Sequence, residues 1–309
     1  MTAHDPRTPL NQDSRLTLQN HKYTIWDVVG FGGSCLAYYA EREPNENEVR
    51  IGIPAVPAII KEFYPLELEA HITREPDGKL TVTTTAQGLF DLMRSRFEVG
   101  AAEQTAFCVN DGNHSLPLPV LANANGTTYT AVILINGQTL NDCAETLSML
   151  EKADVLTSLC NAVKKLHDSG KLYLDLKPSN IFVFEKEQNE SRRIALFDFD
   201  TVIPAADITT AAVSYSDGWS PNEQANQRKE EISYPADIYA IGAVYYWMLS
   251  GKKVSGAVLD EIVRERFGFL DGIEGLHSMR LKETIGQILS VTLKRLPDKR
   301  AQRVEDIPL

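Results

Sequence analysis

The chain has 309 residues, of which 43% are hydrophobic, and its formal net charge at pH 7 is −11. This composition predicts one large or two modest globular units rather than a disordered chain, and the negative charge argues against binding to nucleic-acid phosphates. The longest apolar run, residues 238–249, is too short to span a bilayer and the four cysteines lack metal-ligand spacing, so we expect a soluble, cytoplasmic protein without disulfides.

The first part of the chain contains a polar segment and then a glycine turn. Residues 1–21 show no sustained periodicity and are predicted to be a polar tail or a loosely docked extension. Residues 22–29 and 36–40 predict two strands, and the sequence between them, GFGGSC, contains Gly30, Gly32 and Gly33. Glycines let the backbone approach a phosphate closely, because no side chain covers the amide groups. A glycine turn alone is weak evidence for nucleotide binding.

The next elements include a strand with a lysine at its end and a helix with two candidate glutamates. Residues 58–65, AIIKEFYP, predict a strand that carries Lys61. The insertion over residues 66–94 contains a turn, PDG, and a TVTTT run that together predict a hairpin. The pattern is helical over residues 95–109, and residues 116–120 and 127–135 predict two strands joined by a turn at 123–126.

The most informative stretch is KLYLDLKPSNIFV, residues 171–183, which follows a predicted helix over residues 154–167. Asp175, Lys177 and Asn180 lie between two short apolar strands, and Pro178 excludes a helix interior. Catalytic groups are often found on such rigid loops between strands. Another strand, residues 194–197, ends at a second acid, Asp198.

These segments resemble the protein kinase superfamily, whose catalytic loop reads H-R-D-L-x-x-x-N and whose metal-binding strand end reads D-F-G. Here residues 173–180 read YLDLKPSN and residues 198–200 read DFD. The KEFYP run followed by a long insertion resembles bacterial kinases of the eukaryotic-like type. The resemblance implies a two-lobed α+β fold: a small antiparallel β lobe with a C-helix over residues 22–135, a hinge at about 133–137, and a larger, mainly helical lobe over residues 138–309.

The resemblance also assigns roles to individual residues in the transfer of a phosphoryl group from ATP with Mg²⁺. Asp175 orients the acceptor hydroxyl, Lys177 contacts the transferred phosphate, and Asn180 with Asp198 holds Mg²⁺. Lys61 binds the ATP phosphates and pairs with a helix glutamate. We choose Glu103 over Glu98 because the apolar residue four positions after Glu103 is Phe107, which can join a core stack. The remaining residues assigned to nucleotide binding are Gly30, Gly32, Gly33, Ala37, Ile59, Val132, Ile133, Ile135 and Phe182.

Several positions depart from the family pattern, and each departure leads to an expectation. Leu174 replaces an arginine that receives a loop phosphate in many kinases, so loop phosphorylation is not expected to be the main switch. Alanine substitutions at Thr209, Thr210, Ser214 and Ser216 are therefore predicted to leave activity within a few-fold. Tyr173 replaces histidine and is expected to pack against Phe199 and Phe107.

Three later landmarks also match the family. Glu223 is expected to pair with Arg300, and Asp237 is expected to hold the catalytic loop. Together with Lys177-Pro178 they favour a Ser/Thr protein kinase that acts on protein substrates.

Two alternatives remain open from the sequence. Cys35, Ile59 and Asp200 replace family residues and would fit a pseudokinase that binds nucleotides or serves as a scaffold. A small-molecule kinase of related fold is the second alternative. The sequence leaves the protein substrate and the oligomeric state open.

Overall fold

A computed structural model gives the fold and describes residues 5–110, 118–134, 136–185, 191–264, 267–273 and 275–309. By their internal contacts the residues fall into two compact units, Met1–Ile135 and Asn136–Leu309. Among the described residues, no helix combines the length and the apolar character needed to cross a membrane.

The first unit is built on an antiparallel sheet with the strand order β1-β2-β3-β4-β8-β7, beside a separate β5-β6 hairpin. Its strands are β1 (Arg15–Leu18), β2 (His21–Phe31), β3 (Cys35–Arg42), β4 (Val56–Phe63), β5 (Ile72–Arg74), β6 (Leu80–Val82), β7 (Val120–Ala124) and β8 (Thr127–Ile133). Its helices are α1 (Glu46–Arg50) and α2 (Gln87–Asn110).

Strand alternation places one face of this sheet in the core. Tyr38 of β3 and Ile60 of β4 lie opposite each other in the register, and both are fully buried. At the end of β4, Phe63 packs against Phe90 and Phe97 of α2, with ring centroids 5.1 and 5.6 Å apart. These contacts attach the long helix to the strand that carries Lys61.

The described part of the predicted N-terminal tail belongs to the first unit, so the tail prediction was wrong for residues 5–21. Strand β1 pairs with β2, and Leu10, Leu16 and Leu18 are buried. The alternating pattern covers only the four residues of β1, and no periodicity extends beyond them in this polar segment. A strand this short gains its stability from pairing with β2, which local sequence does not reveal.

Three other boundaries in the first unit were tested. The β5-β6 hairpin was predicted and is confirmed. Helix α2 begins at Gln87, eight residues before the predicted start at residue 95. Residues 116 and 117 of the predicted strand 116–120 lie outside the described residues. Strand β7 begins at Val120 and runs to Ala124, and the turn that follows is Asn125-Gly126, with φ of 48° and 74°. An Asn-Gly pair with two positive φ angles favours a two-residue hairpin turn.

The second unit is mainly helical. Its helices are α3 (Leu140–Cys143), α4 (Met149–Asp168), α5 (Asn222–Ala225), α6 (Tyr234–Ser250), α7 (Gly256–Val263) and α8 (Met279–Thr292). Its strands are β9 (Gly137–Thr139), β10 (Lys171–Leu172), β11 (Ile181–Phe184), β12 (Ile194–Leu196) and β13 (Ile203–Pro204). Strand β11 pairs with β9 and β12, and β10 pairs with β13.

Helix α6 is the centre of this unit and packs against α4 and α8. It is apolar nearly all round, as expected for a helix buried on every side. The approach to α8 is close, since a Cβ atom at Gly242 would come within 2.3 Å of the Thr292 hydroxyl. Helix α4 begins with a capping box in which the Ser148 hydroxyl accepts from the amide of Glu151 and the Glu151 carboxylate accepts from the amide of Ser148.

Candidate active site

The loop from Tyr173 to Asn180, called here the catalytic loop, connects β10 to β11. Pro178 begins a short 3-10 turn that ends at Asn180, whose amide donates to the Lys177 carbonyl at 2.9 Å. Proline suits the first position of such a turn because it needs no amide donor there. The predicted loop between two short strands is confirmed.

Within this loop the carboxylate of Asp175 collects three donors. The Lys177 ammonium lies 2.7 Å from Oδ2, and the Asn180 amide Nδ2 donates to the same oxygen at 2.9 Å. The Ser216 hydroxyl donates to the other oxygen, Oδ1, at 2.6 Å. Asp175 and Asn180 are buried, whereas the Lys177 side chain is 28% exposed. The arrangement places an oriented carboxylate next to a cation that solutes can reach.

A second carboxylate, that of Asp237 on α6, holds the loop backbone. Its two oxygens accept from the amides of Tyr173 at 2.9 Å and Leu174 at 2.8 Å. The side chain is 1% exposed, and the His167 Nε2 atom lies 2.9 Å from Oδ2. The predicted contact between Asp237 and the catalytic loop is confirmed. The contact shows that His167, near the end of α4, orients the Asp237 carboxylate.

Tyr173 connects the catalytic loop to the segment after Asp198. Its ring packs edge-on against Phe199 with centroids 5.6 Å apart, which confirms the predicted contact, while the contact with Phe107 stays a prediction. Its hydroxyl donates to the Phe197 carbonyl, and its own carbonyl accepts from the Thr201 hydroxyl at 2.9 Å. Burial, and next the charge of Asp198, raises the pKa of Tyr173 well above its usual value. Tyr173 is therefore a neutral hydrogen-bond donor.

Leu174 occupies a place where charge would be unfavourable. It has a φ of 64° and lies in an apolar cluster. Its carbonyl accepts from Gln224 Nε2 at 2.6 Å, and Nε2 also donates to the Ser214 carbonyl at 2.7 Å. The buried members of the cluster are Leu172, Leu174, Ile208, Ile232 and Ala236. Apolar packing and Gln224 thus hold residues 203–214 against the catalytic loop.

The residues predicted to hold a metal ion lie on neighbouring backbone segments. The Phe197 amide donates to the Asn180 carbonyl at 2.9 Å, which ties the residue before Asp198 to the catalytic loop. Both hydrogen bonds from the Asn180 side chain use Nδ2, so its Oδ1 is the atom suited to metal ligation. Asp198 has a left-handed backbone conformation, with φ of 60°. Amide and carboxylate oxygens are ligands that Mg²⁺ accepts, so this donor set fits the ion.

In the first unit, the strand register places several predicted nucleotide-binding residues on one face of the sheet. Ala37 lies opposite Lys61, and Ile59 lies opposite Val132. Paired residues of antiparallel strands, and alternate residues along one strand, point to the same side. These four side chains therefore share the face opposite the one buried with Tyr38.

Three other residues predicted to bind nucleotide are not among the side chains that share this face of the sheet. Ile133 pairs with Ala58 and so lies on the opposite face, which leaves its backbone as the part that could contact a nucleotide. Ile135 lies outside the described residues. Phe182, in the second unit, is buried with its ring centroid 5.4 Å from that of Phe184 and 5.5 Å from that of Phe197.

The glycine turn, residues 30–34, joins β2 to β3. Gly30 lies opposite Ala37, and the Gly32 amide donates to the Cys35 carbonyl at 2.9 Å. A Cβ atom at Gly33 would meet no atom within 4 Å. The space beside Gly33 is therefore open, as close approach of a phosphate to the backbone requires.

The two candidate glutamates of α2 differ in their surroundings. The Glu98 carboxylate accepts from the Thr128 hydroxyl at 2.7 Å and lies 3.9 Å from Arg94, so it has partners of its own. Glu103 is partly buried on the same helix. The pairing of Glu103 with Lys61 stays a prediction.

The predicted pair of Glu223 and Arg300 is confirmed. Both side chains are fully buried and form a two-pronged contact, with one N–O distance of 3.0 Å. Arg300 also donates to the Lys294 carbonyl at 2.6 Å and lies over the Tyr239 ring, 5.0 Å from its centroid. The pair fixes α5 against the end of the chain and so positions Gln224.

Sequence reasoning missed the part that Ser216, Gln224 and Thr201 play. Ser216 was considered only as a phosphorylation candidate, although its hydroxyl contacts Asp175. Gln224 and Thr201 bind carbonyls of the catalytic loop from distant positions in the chain. Nothing in their local sequence distinguishes them from ordinary polar residues.

Comparison with known proteins agrees with this arrangement. The family model described as the protein kinase domain matches residues 122–305, more than half of the chain. The chain is 24% identical over 242 residues to the serine/threonine-protein kinase PknB of Mycobacterium leprae, which covers 75% of this chain and 33% of PknB. It is 24% identical over 243 residues to PknB of Mycobacterium tuberculosis, with the same coverage.

A further relative is a probable serine/threonine-protein kinase PknB of Corynebacterium glutamicum, which is 25% identical over 236 residues. The chain spans about a third of the length of these curated relatives. The match to the family model includes Asp198 and the residues Asp175, Asn180 and Asp237, whose contacts are described above. On this evidence, the chain belongs to the protein kinase family.

Proposed function

We propose that this chain is a Ser/Thr protein kinase that transfers the γ-phosphoryl group of ATP, with Mg²⁺, to a hydroxyl of a protein substrate. The observation that carries the proposal is the Asp175 carboxylate, which Lys177, Asn180 and Ser216 orient through contacts of 2.6 to 2.9 Å. Phosphoryl transfer needs little covalent chemistry from the protein, so oriented groups of this kind account for most of the catalysis.

Each oriented group has a part in the proposed reaction. Asp175 accepts a hydrogen bond from the acceptor hydroxyl and aims its oxygen at the phosphorus. Lys177 places positive charge beside the equatorial phosphate oxygens, over which negative charge is spread in the transition state. Ser216 and Asn180 hold Asp175 in one rotamer, because each donates to a different carboxylate oxygen.

Metal binding is assigned to Asn180 Oδ1 and the Asp198 carboxylate, which fit Mg²⁺ by their donor chemistry. The ion neutralises phosphate charge when it is bound. In the first unit, Lys61 and the glycine turn are assigned to the phosphates. Helix α2 is assigned the part of the C-helix, with Glu103 as the partner of Lys61.

Similarity to the PknB proteins, which are serine/threonine-protein kinases, supports the proposal that the acceptor is a Ser or Thr hydroxyl of a protein. Two landmarks of the chain support the same branch of the family. Lys177 contacts Asp175, and the Glu223–Arg300 pair positions the helix that carries Gln224. The alternative of a small-molecule kinase is tested by comparing phosphoryl transfer to sugars and amino alcohols with transfer to a protein acceptor. Transfer to the small molecules alone would favour this alternative.

The test separates binding from transfer. Calorimetry measures ATP affinity with and without Mg²⁺, and labelled ATP measures transfer to a generic protein acceptor. Asp175→Asn is expected to lower transfer by roughly 100-fold or more while nucleotide affinity changes little. Asp198→Asn is expected to remove the Mg²⁺ dependence of binding. Asp298→Asn, whose side chain is 66% exposed, is the matched control.

The outcomes distinguish the enzyme from a pseudokinase. ATP binding without detectable transfer by the unaltered chain would overturn the enzyme proposal and leave a nucleotide-binding module. Failure to bind ATP at millimolar concentration would overturn nucleotide binding as well.

A further inference from the structure

Arg7 is a buried arginine near the start of the described chain. Its side chain is fully buried, and both oxygens of the Asp5 carboxylate accept from it, with Nε–Oδ1 and Nη2–Oδ2 distances of 2.9 and 2.7 Å. A buried guanidinium is unfavourable unless its charge is compensated and its donors are used. The Asp5 carboxylate provides that compensation, so the remaining donors of Arg7 are free to bind other groups.

Those donors reach two backbone carbonyls next to the predicted nucleotide-binding residues. Nη2 donates to the Gly32 carbonyl at 2.8 Å, and Nη1 donates to the Tyr64 carbonyl at 2.5 Å. Gly32 lies in the glycine turn, and Tyr64 follows β4, three residues after Lys61. One guanidinium thus connects the turn to the end of the lysine strand.

Backbone hydrogen bonds extend the same connection. The Tyr64 amide donates to the Ser34 carbonyl at 3.1 Å, and the Leu66 amide donates to the Gly33 carbonyl at 2.8 Å. The carbonyls of residues 32–34 therefore all accept hydrogen bonds from outside the turn: that of Gly32 from Arg7, and the other two from the amides of Leu66 and Tyr64. Glycine backbone has the greatest conformational freedom, so a turn of this composition needs external contacts to keep one shape.

The segment that carries Arg7 is attached at separate points. The Leu10 amide donates to the Tyr38 hydroxyl at 3.1 Å, and the Thr8 carbonyl accepts from Arg74 at 2.7 Å. Residues 8–11 and 14–16 also line a cavity of about 420 Å³ with the β5-β6 turn. The cavity leaves part of the segment without packing partners, and the hydrogen bond from Arg7 to the Gly32 carbonyl joins the segment to the glycine turn.

We propose that Arg7 is a positioning residue that holds the glycine turn in its nucleotide-binding shape, with Asp5 orienting the guanidinium. The proposal rests on the proposed function in one respect, namely that the turn binds ATP phosphates. The ligand is a nucleoside triphosphate with its metal. Loss of Arg7 is expected to weaken nucleotide binding and raise KM for ATP, with a smaller change in kcat, because Asp175 and its partners belong to the other unit.

Two separate measurements on the full chain report the hydrogen exchange of the glycine turn and its affinity for ATP. Hydrogen exchange followed by mass spectrometry reports on residues 28–36 without nucleotide, and calorimetry reports the Kd for ATP with Mg²⁺. Arg7→Ala is expected to speed exchange in the turn and weaken ATP binding, each by roughly tenfold, since two hydrogen bonds from a charged donor are lost. Arg7→Lys is expected to give an exchange rate and a Kd for ATP between those of the unaltered chain and of Arg7→Ala, because an ammonium cannot reproduce the planar donor geometry of the guanidinium.

Arg15→Ala is the matched control, because Arg15 lies in the neighbouring strand β1 and is exposed. Exchange over residues 15–25 reports whether a variant keeps its sheet. If Arg7→Ala does not fold, Asp5→Asn and Arg7→Lys provide the same comparison with smaller changes.

Unchanged exchange of the turn in folded variants would overturn the proposal, and so would faster exchange with an unchanged Kd for ATP. The exchange measurement needs no nucleotide. If the unaltered chain binds no ATP, the proposed function fails, while exchange still decides whether Arg7 holds the turn.

Discussion

The contact of Asp237 with the catalytic loop leads to a quantitative prediction for Asp237→Asn. The carboxylate offers two acceptor oxygens, which take the amides of Tyr173 and Leu174 at 2.9 and 2.8 Å. Asparagine offers one acceptor oxygen and a donor amide. One of the two loop amides must then face another donor in a site that is 1% exposed in the unaltered protein.

The size of the effect follows from this count of donors. One buried N–H group without an acceptor costs about 1–3 kcal/mol. The free energy of unfolding should fall by that amount, and the loop amide that loses its acceptor should exchange roughly 5- to 150-fold faster, since about 1.4 kcal/mol is a factor of ten. His167 offers no remedy, because it approaches the oxygen that the Tyr173 amide also uses.

Urea unfolding measures the free energy, and NMR-detected hydrogen exchange resolves the amides of Tyr173 and Leu174. Asp298→Asn makes the same chemical change at an exposed position and should alter neither quantity. Equal unfolding free energies and unchanged exchange at both amides would refute the view that Asp237 holds the loop.

Three further predictions concern contacts elsewhere in the second unit. Ser216→Ala should slow phosphoryl transfer by roughly tenfold or more in steady-state assays, because the hydroxyl orients Asp175, whereas the exposed Thr209→Ala should stay within a few-fold. Arg300→Met should cost about 3–5 kcal/mol in urea unfolding by leaving the Glu223 carboxylate buried without a cation, and adding Glu223→Gln should recover part of that loss. Glu151→Gln should destabilise the protein at pH 7, because hydrogen bonds with Ser148 and the Arg192 charge lower the pKa of Glu151 from 4.5 to about 2. The lowered pKa stabilises the fold above about pH 4.5, so the difference in Tm between variant and unaltered protein should shrink as pH falls from 4.5 toward 2.

The Ser216 prediction replaces an expectation drawn from sequence. From Leu174, the sequence predicted that alanine substitutions at Thr209, Thr210, Ser214 and Ser216 would each leave activity within a few-fold. Thr209, Thr210 and Ser214 are exposed, and the prediction is kept for these three residues. Ser216 is different because it donates to the Asp175 carboxylate.

The apolar surroundings of Leu174 give a physical reason why loop phosphorylation is not expected to be the main switch. An arginine at this position would place its charge in the cluster with Ile208 and Ile232. Here, apolar contacts and the Gln224 hydrogen bonds hold the segment without a phosphate.

The sequence by itself determined the features whose signals are local. Asp175, Lys177 and Asn180 are close in the chain, and Pro178 restricts the backbone between them, so their loop was predictable. The resemblance to kinases likewise assigned Ala37, Ile59 and Lys61 to nucleotide binding, and the glycines of residues 30–33 predicted the turn before them.

Only the tertiary structure decided which distant groups complete the site. Ser216 follows Asp175 by 41 residues, and His167 precedes Asp237 by 70. The docking of Arg7 on the glycine turn belongs to the same class. Polar side chains with no periodicity around them carry no local signal, and their partners are chosen by the packing of strands and helices that lie far apart in the sequence.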